Sequence, residues 1–158
     1  MSDPEIPIKI IHILSATVLL GVGLGTAFHM WMAHVTGDAR LVAAAARSTV
    51  RADFLFTTPA IVVQPLSGAA IIAIERMDPT ASWLVAAYGL YALAGACWLP
   101  VVGLQIKARN LAAAAAAGGQ ALPAEYHRAM RAWFILGWPA FAAVILIVCL
   151  MVAKPELW

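Results

Sequence analysis

The 158-residue sequence is short of charge. Asp, Glu, Lys and Arg make up only 11% of it, while 63% is hydrophobic. A soluble domain carries about 25% charged residues, so this chain lacks the polar surface that water requires. It is also short of cysteine. Cys97 and Cys149 each stand alone in an apolar run, which excludes a disulfide framework and a CxxC metal or redox motif. Both read as small core residues. The net charge of +2 is too small to argue for nucleic acid. There is no HExxH, no Walker loop and no cleft of paired carboxylates. The eight acidic residues fall in connections or near the ends of apolar runs, so no carboxylate relay through the middle is expected. A basic leader is missing too. The start, MSDPEIPIK, is acidic, and the first apolar run outlasts the roughly 7–15 residues of a signal-peptide core. That run is expected to remain as a membrane anchor.

What is present is four long apolar runs, at about 8–32, 54–74, 83–106 and 133–152. Each is near the roughly 20 residues that a helix needs to cross a bilayer. None alternates with the period of two that barrel strands require. The expected fold is therefore all-α: one integral membrane four-helix bundle spanning 1–158.

Local signals place the ends. Pro4 and Pro7 suit a helix entry. Asp38 can cap an alanine-rich helix, Ala39 to Val50, that lies at the membrane surface or extends the second span. Thr57-Thr58-Pro59 and Gln64-Pro65 put two prolines in the second span, each removing a backbone donor. Gln64 falls near mid-bilayer, where an amide should face the interior. Ser82 reads as a cap, Gly118-Gly119 as a stop and Pro123 as a helix start. Arg51 and Asp53 are expected to pair. Gly21 and Gly25 form a GxxxG seam that suits close helix packing. Trp31, Trp83, Trp133 and Trp158 read as interfacial anchors, Trp98 and Trp138 as packing residues. The N-terminus, second connection and C-terminus carry three basic residues, the other two connections seven. The positive-inside rule then puts both termini on the non-cytoplasmic side.

The chemistry-bearing candidates are the histidines, because ionisable groups are expensive in a span. His12 stands near the start of the first span, in apolar surroundings. It can be an axial ligand to haem iron or a packing histidine that hydrogen-bonds across the bundle. Met151, Cys149, Met77 and Tyr88 lie at comparable depth. His29 and His34 come near the other end, His29 about 25 Å from His12 along an ideal helix, so they cannot share its iron. They differ by about 140° around the helix. A second site would pair His29 or His34 with His127. Gln105, Lys107 and Arg109 form a basic rim that can dock an anion or serve topology alone.

The stretches Ile11-His12-Ile13-Leu14, Gly21 to Gly25, Tyr88 to Tyr91 through Cys97-Trp98-Leu99-Pro100-Val101-Val102, Gln105, and Tyr126-His127-Arg128 through Trp138-Pro139 carry a resemblance over essentially the whole chain. The sequence resembles a family of small bacterial integral membrane proteins of unknown function. That family looks distantly similar to HemJ-type protoporphyrinogen oxidases and CopD-type copper-resistance membrane proteins. The resemblance implies b-type haem, with His12 at the position of a functional histidine in the first span. The HemJ-type family also uses a lysine late in the chain, and here Lys154 stands only at the very end of the fourth span.

Three functional readings follow. The leading one is haem b binding, by His12 and then His29 and His127, for electron transfer or porphyrin-linked redox chemistry in a bacterial inner membrane. The second is a non-catalytic accessory or assembly subunit of a larger membrane complex or homo-oligomer. The third is copper handling through His12, Met30, Met32, Met77 or Met151.

Overall fold

The computed structural model describes residues 5–158; Pro4 lies outside the described residues. Four long helices account for nearly all of them: α1 (Glu5–Thr36), α2 (Ala39–Ile74), α3 (Ser82–Ala117) and α4 (Ala124–Ala153), each long and apolar enough to cross a membrane. Among the described residues there is no strand. The helices outlast the apolar runs because polar and alanine-rich sequence continues them. Asp38 does cap α2, its Oδ1 accepting the Arg40 amide at 2.7 Å. The alanine-rich segment is thus the first half of the second helix. Gly37, at φ +68°, makes the tight turn from α1 possible. Gly119, at φ +62°, does the same after α3.

The prolines in α2 are accommodated in two different ways. A proline ring clashes with the carbonyl four residues back. Before Pro59 the helix widens into a π-turn, Asp53–Thr57, so Pro59 falls in the first turn of the α-segment that follows. Pro65 leaves the Ile61 carbonyl without its helical donor, and the Tyr91 hydroxyl of α3 donates to that oxygen at 2.5 Å. In lipid such freed groups must find partners within the protein.

Packing is uneven along the bundle. At the end with the Gly37 and Gly119 turns, the first half of α2 lies against both α1 and α3, and α3 runs along α4. Small residues allow this: Val42, Ala43, Ala45 and Ala46 of α2 meet Ala108 and Ala112 of α3 and Tyr126, Met130 and Trp133 of α4. Trp133 is therefore a core residue and not the anchor its position suggested. Trp138, expected to pack, is 74% exposed and faces where lipid would be. Toward the other end the hairpins α1/α2 and α3/α4 part. There Thr58–Ile74 packs along α1, with no backbone-close run against α3 among the described residues.

Three local expectations need correction. Gly21 and Gly25 are exposed, and a Cβ built on either meets nothing within 4 Å. The seam packs against no helix of this chain, because α1 turns its other side, with Ser15 and Met30, inward. Among the described residues Arg51 and Asp53 form no ion pair. Two residues apart they lie on opposite sides of the helix, so Arg51 is exposed while Asp53 is buried. Ser82 does not cap α3. Its hydroxyl accepts the Leu157 amide at 2.9 Å and ties down the C-terminal tail. In the α2–α3 turn, the Thr80 amide and hydroxyl donate to Asp78 and hold its carboxyl below the usual range.

Candidate functional site

Where the hairpins part they enclose a cavity of about 570 Å³. That is within the 300–1,000 Å³ range of small-molecule and cofactor sites. Its walls are chiefly apolar: Ile13, Ile72, Leu84 and Ile147, with the aromatics Trp83, Tyr88 and Tyr91. His12 and Gln64 supply polar groups from α1 and α2. Two lysines line it near the chain ends. Lys9 pairs with Glu75 at 2.7 Å and also with Glu5. The Lys154 ammonium sits 5.5 Å from the centre of the Trp83 ring. Met77 and Met151 line the cavity as well, whereas Cys149 does not.

The His12 ring is held on both nitrogens. The Ser67 hydroxyl lies 2.7 Å from the Val63 carbonyl and 3.1 Å from the Gln64 carbonyl, so its proton is committed to the backbone. Toward His12 Nδ1, at 2.9 Å, the Ser67 oxygen therefore accepts. That assigns the proton to Nδ1 and the lone pair to Nε2. The Gln64 amide donates to Nε2 at 3.1 Å, and Ser15 donates in turn to the Gln64 carbonyl oxygen. Gly68 lets the ring come this close: a Cβ there would stand 3.1 Å from His12 Cε1. A metal-bound histidine keeps its orientation by donating its other ring N–H to a fixed acceptor. Ser67 is such an acceptor, and Nε2 is the free-electron-pair atom. The sequence singled out His12 and Gln64 separately. It did not single out Ser67, Ser15 or Gly68, whose only signal is three-to-four-residue spacing on one face of α2 and α1.

Residues 6–155 match the family described as predicted integral membrane protein (DUF2269). The chain belongs to the DUF2269 family. No curated protein and no solved structure matches it. The family description makes this DUF2269 protein an integral membrane protein, in keeping with its four apolar helices.

The remaining histidines of the DUF2269 chain gather only in part. His34 Nδ1 meets the Tyr126 hydroxyl at 3.0 Å, and its ring centre is 5.8 Å from that of His127. His29 is instead paired with Ser48, 3.2 Å from Nε2 to the hydroxyl. The ring contacts of His127 are with His34 and Tyr126, so the neighbour sought for His29 went to His34. Helical phase explains it: five residues from His29, His34 is turned toward α4. The methionines proposed for copper are dispersed. Met30 is buried in the core at the opposite end and Met32 is exposed. Among the described residues no three His, Cys, Asp or Glu side chains converge as a metal set.

Proposed function

We propose that this DUF2269 protein binds b-type haem between its two hairpins, with His12 Nε2 as the axial ligand, and serves electron transfer or porphyrin-linked redox chemistry. The observation that carries this reading is the placement of His12: its ring stands at the wall of an apolar cavity, with Nδ1 held 2.9 Å from the Ser67 hydroxyl. Haem asks a site for an imidazole nitrogen, flat apolar walls and cations for its propionates. The cavity residues fit each demand. His12 supplies the nitrogen, Trp83, Tyr88 and the aliphatic residues the walls, and Lys154 the charge, Lys9 being held by Glu5 and Glu75. Bound haem would supply a one-electron couple. The chain's own residues would hold the group, and Met77 and Met151, which line the cavity, would be further ligand candidates. Loading requires the Gln64 amide to leave Nε2. The likeness to HemJ-type proteins at His12 points the same way. With the arginines of the Gly37 end facing the cytoplasm, the cavity opens on the far side of a bacterial inner membrane.

The test is an optical spectrum. Protein purified in detergent after expression with ample haem should show a Soret band and a pyridine-haemochrome of b type. His12→Ala should remove it, and His29→Ala and His127→Ala should not. Absence of Soret absorbance in the wild-type protein overturns the proposal. The exposed Gly21–Gly25 face favours one second reading, an accessory subunit that packs this seam on a partner helix. Co-purification with a larger membrane protein, in colourless form, would select it.

A further inference from the structure

Three charged residues line the cavity: Lys9, Glu75 and Lys154. Lys9 is paired with Glu75 and Glu5. Among the described residues Lys154 forms no ion pair. Its ammonium rests against the Trp83 ring, 5.5 Å from the centroid, within reach of a cation–π contact. A carboxylate is a stronger partner for an ammonium than a ring face, so this charge is available to an anion. Its place is set by the backbone. Lys154 closes α4 with φ +44° and ψ +51°, in the left-handed region. A residue with a Cβ persists there only where its surroundings fix it. Pro155 follows, and it cannot continue the helix. The turn sends the chain off the axis of α4 to the start of α3. There the Ser82 hydroxyl grips it twice, accepting the Leu157 amide at 2.9 Å and donating to the Pro155 carbonyl at 3.4 Å. Lys154 is thereby set beside Trp83, the residue that follows Ser82.

We propose that Lys154 determines which ligand the cavity takes, by anchoring a propionate carboxylate of haem, and that Ser82 is the residue that positions it. The proposal rests on the haem reading of the cavity. The rest of the lining is chiefly apolar, so it accepts a porphyrin ring whether its carboxylates are free or blocked. Discrimination between acid and ester falls to the one uncompensated cation. A single ammonium serves one carboxylate, so esterifying the propionates removes one ion pair. Lys154 is exposed, and such a pair is screened by salt and worth a few-fold in affinity. Ser82 does not itself line the cavity, so it acts only through Lys154. Without its grip the turn is free to fray, and the ammonium spends less time at the cavity.

The probes are haem and its dimethyl ester, in which both carboxylates are blocked. Each is titrated into the full-chain apo-protein in non-ionic detergent and followed at the Soret band. The wild type should bind haem about fivefold tighter than the ester, the ratio that one exposed ion pair supplies, and the preference should shrink as NaCl rises. Lys154→Met should bind the two pigments equally, and Lys154→Arg should keep the preference. Ser82→Ala should lose most of it, while Ser82→Thr, which keeps the hydroxyl, should retain it. Affinity for the ester should stay the same throughout, a readout that general loosening of the fold would move. Equal binding of both pigments by the wild type, or an undiminished preference in Lys154→Met, overturns the proposal and leaves the haem reading standing. An undiminished preference in Ser82→Ala overturns the positioning role. If the wild type binds neither pigment, the haem reading fails and this proposal with it.

Discussion

Two substitutions flanking the His12 ring should act in opposite directions on haem affinity. Ser67 accepts the Nδ1 proton at 2.9 Å and fixes the ring with Nε2 as the donor atom. Removing a partner of this kind lowers metal affinity about 10–100-fold, so Ser67→Ala should weaken haem binding by that factor. Gln64 occupies the ligating atom itself, at 3.1 Å. Its net hydrogen bond is worth about 0.5–1.5 kcal/mol, and it must be broken before iron can bind. Gln64→Leu, which roughly keeps the volume, should therefore tighten haem binding about 2–12-fold, the same free energy expressed as a ratio. The Ser15 hydroxyl retains the His12 carbonyl at 3.0 Å, and Nε2 is left open to the cavity for the iron. The assay is titration of haem into apo-protein in detergent, followed at the Soret band. His12→Ala should abolish binding in either background. If Gln64→Leu weakens binding as Ser67→Ala does, Gln64 is not a competitor for Nε2. The assigned tautomer would then be reversed.

Two further predictions rest on close contacts. Tyr91→Phe should cost about 0.6–1.7 kcal/mol in SDS unfolding, from the average to the largest value measured for hydrogen bonds in a membrane bundle, because Ile61 loses its donor. In a Pro65→Ala background a backbone N–H returns to that carbonyl, so the same change should cost little. Equal costs in both backgrounds would mean that Tyr91 does not act through Ile61. Gly68→Ala should leave stability nearly unchanged, since a helix-propensity gain of about 1 kcal/mol offsets overpacking of similar size. Its methyl would nevertheless press on His12 Cε1 from 3.1 Å, so haem affinity should fall several-fold in the same Soret titration.

How far the sequence could be read varies by residue. Asp38, Gly119 and Pro123 announced helix ends correctly, since capping and φ preferences are local. Gln64 was placed in the interior by the cost of an amide in lipid, and it does bond His12 there. The tryptophans went the other way. Trp133 and Trp138 are five residues apart on α4, and which of them is buried depends on where α2 and α3 stand. Asp53 read as an interfacial residue because it sits at the edge of an apolar run. The alanine-rich half of α2 continues straight past it and carries it into the bundle.

Composition and run length alone determined that this is an integral membrane protein with four helices long and apolar enough to span, because backbone groups in lipid must bond within each segment. They also marked His12 as the residue to watch. Only the tertiary structure decided what His12 faces. The cavity exists because small residues draw the helices together at one end, while at the other the hairpins separate around Tyr91, Gln64 and His12. Helical periodicity says which residues share a face of one helix. It does not say which neighbouring helix that face meets, so the Ser67–His12–Gln64 chain was not visible before the helices were packed.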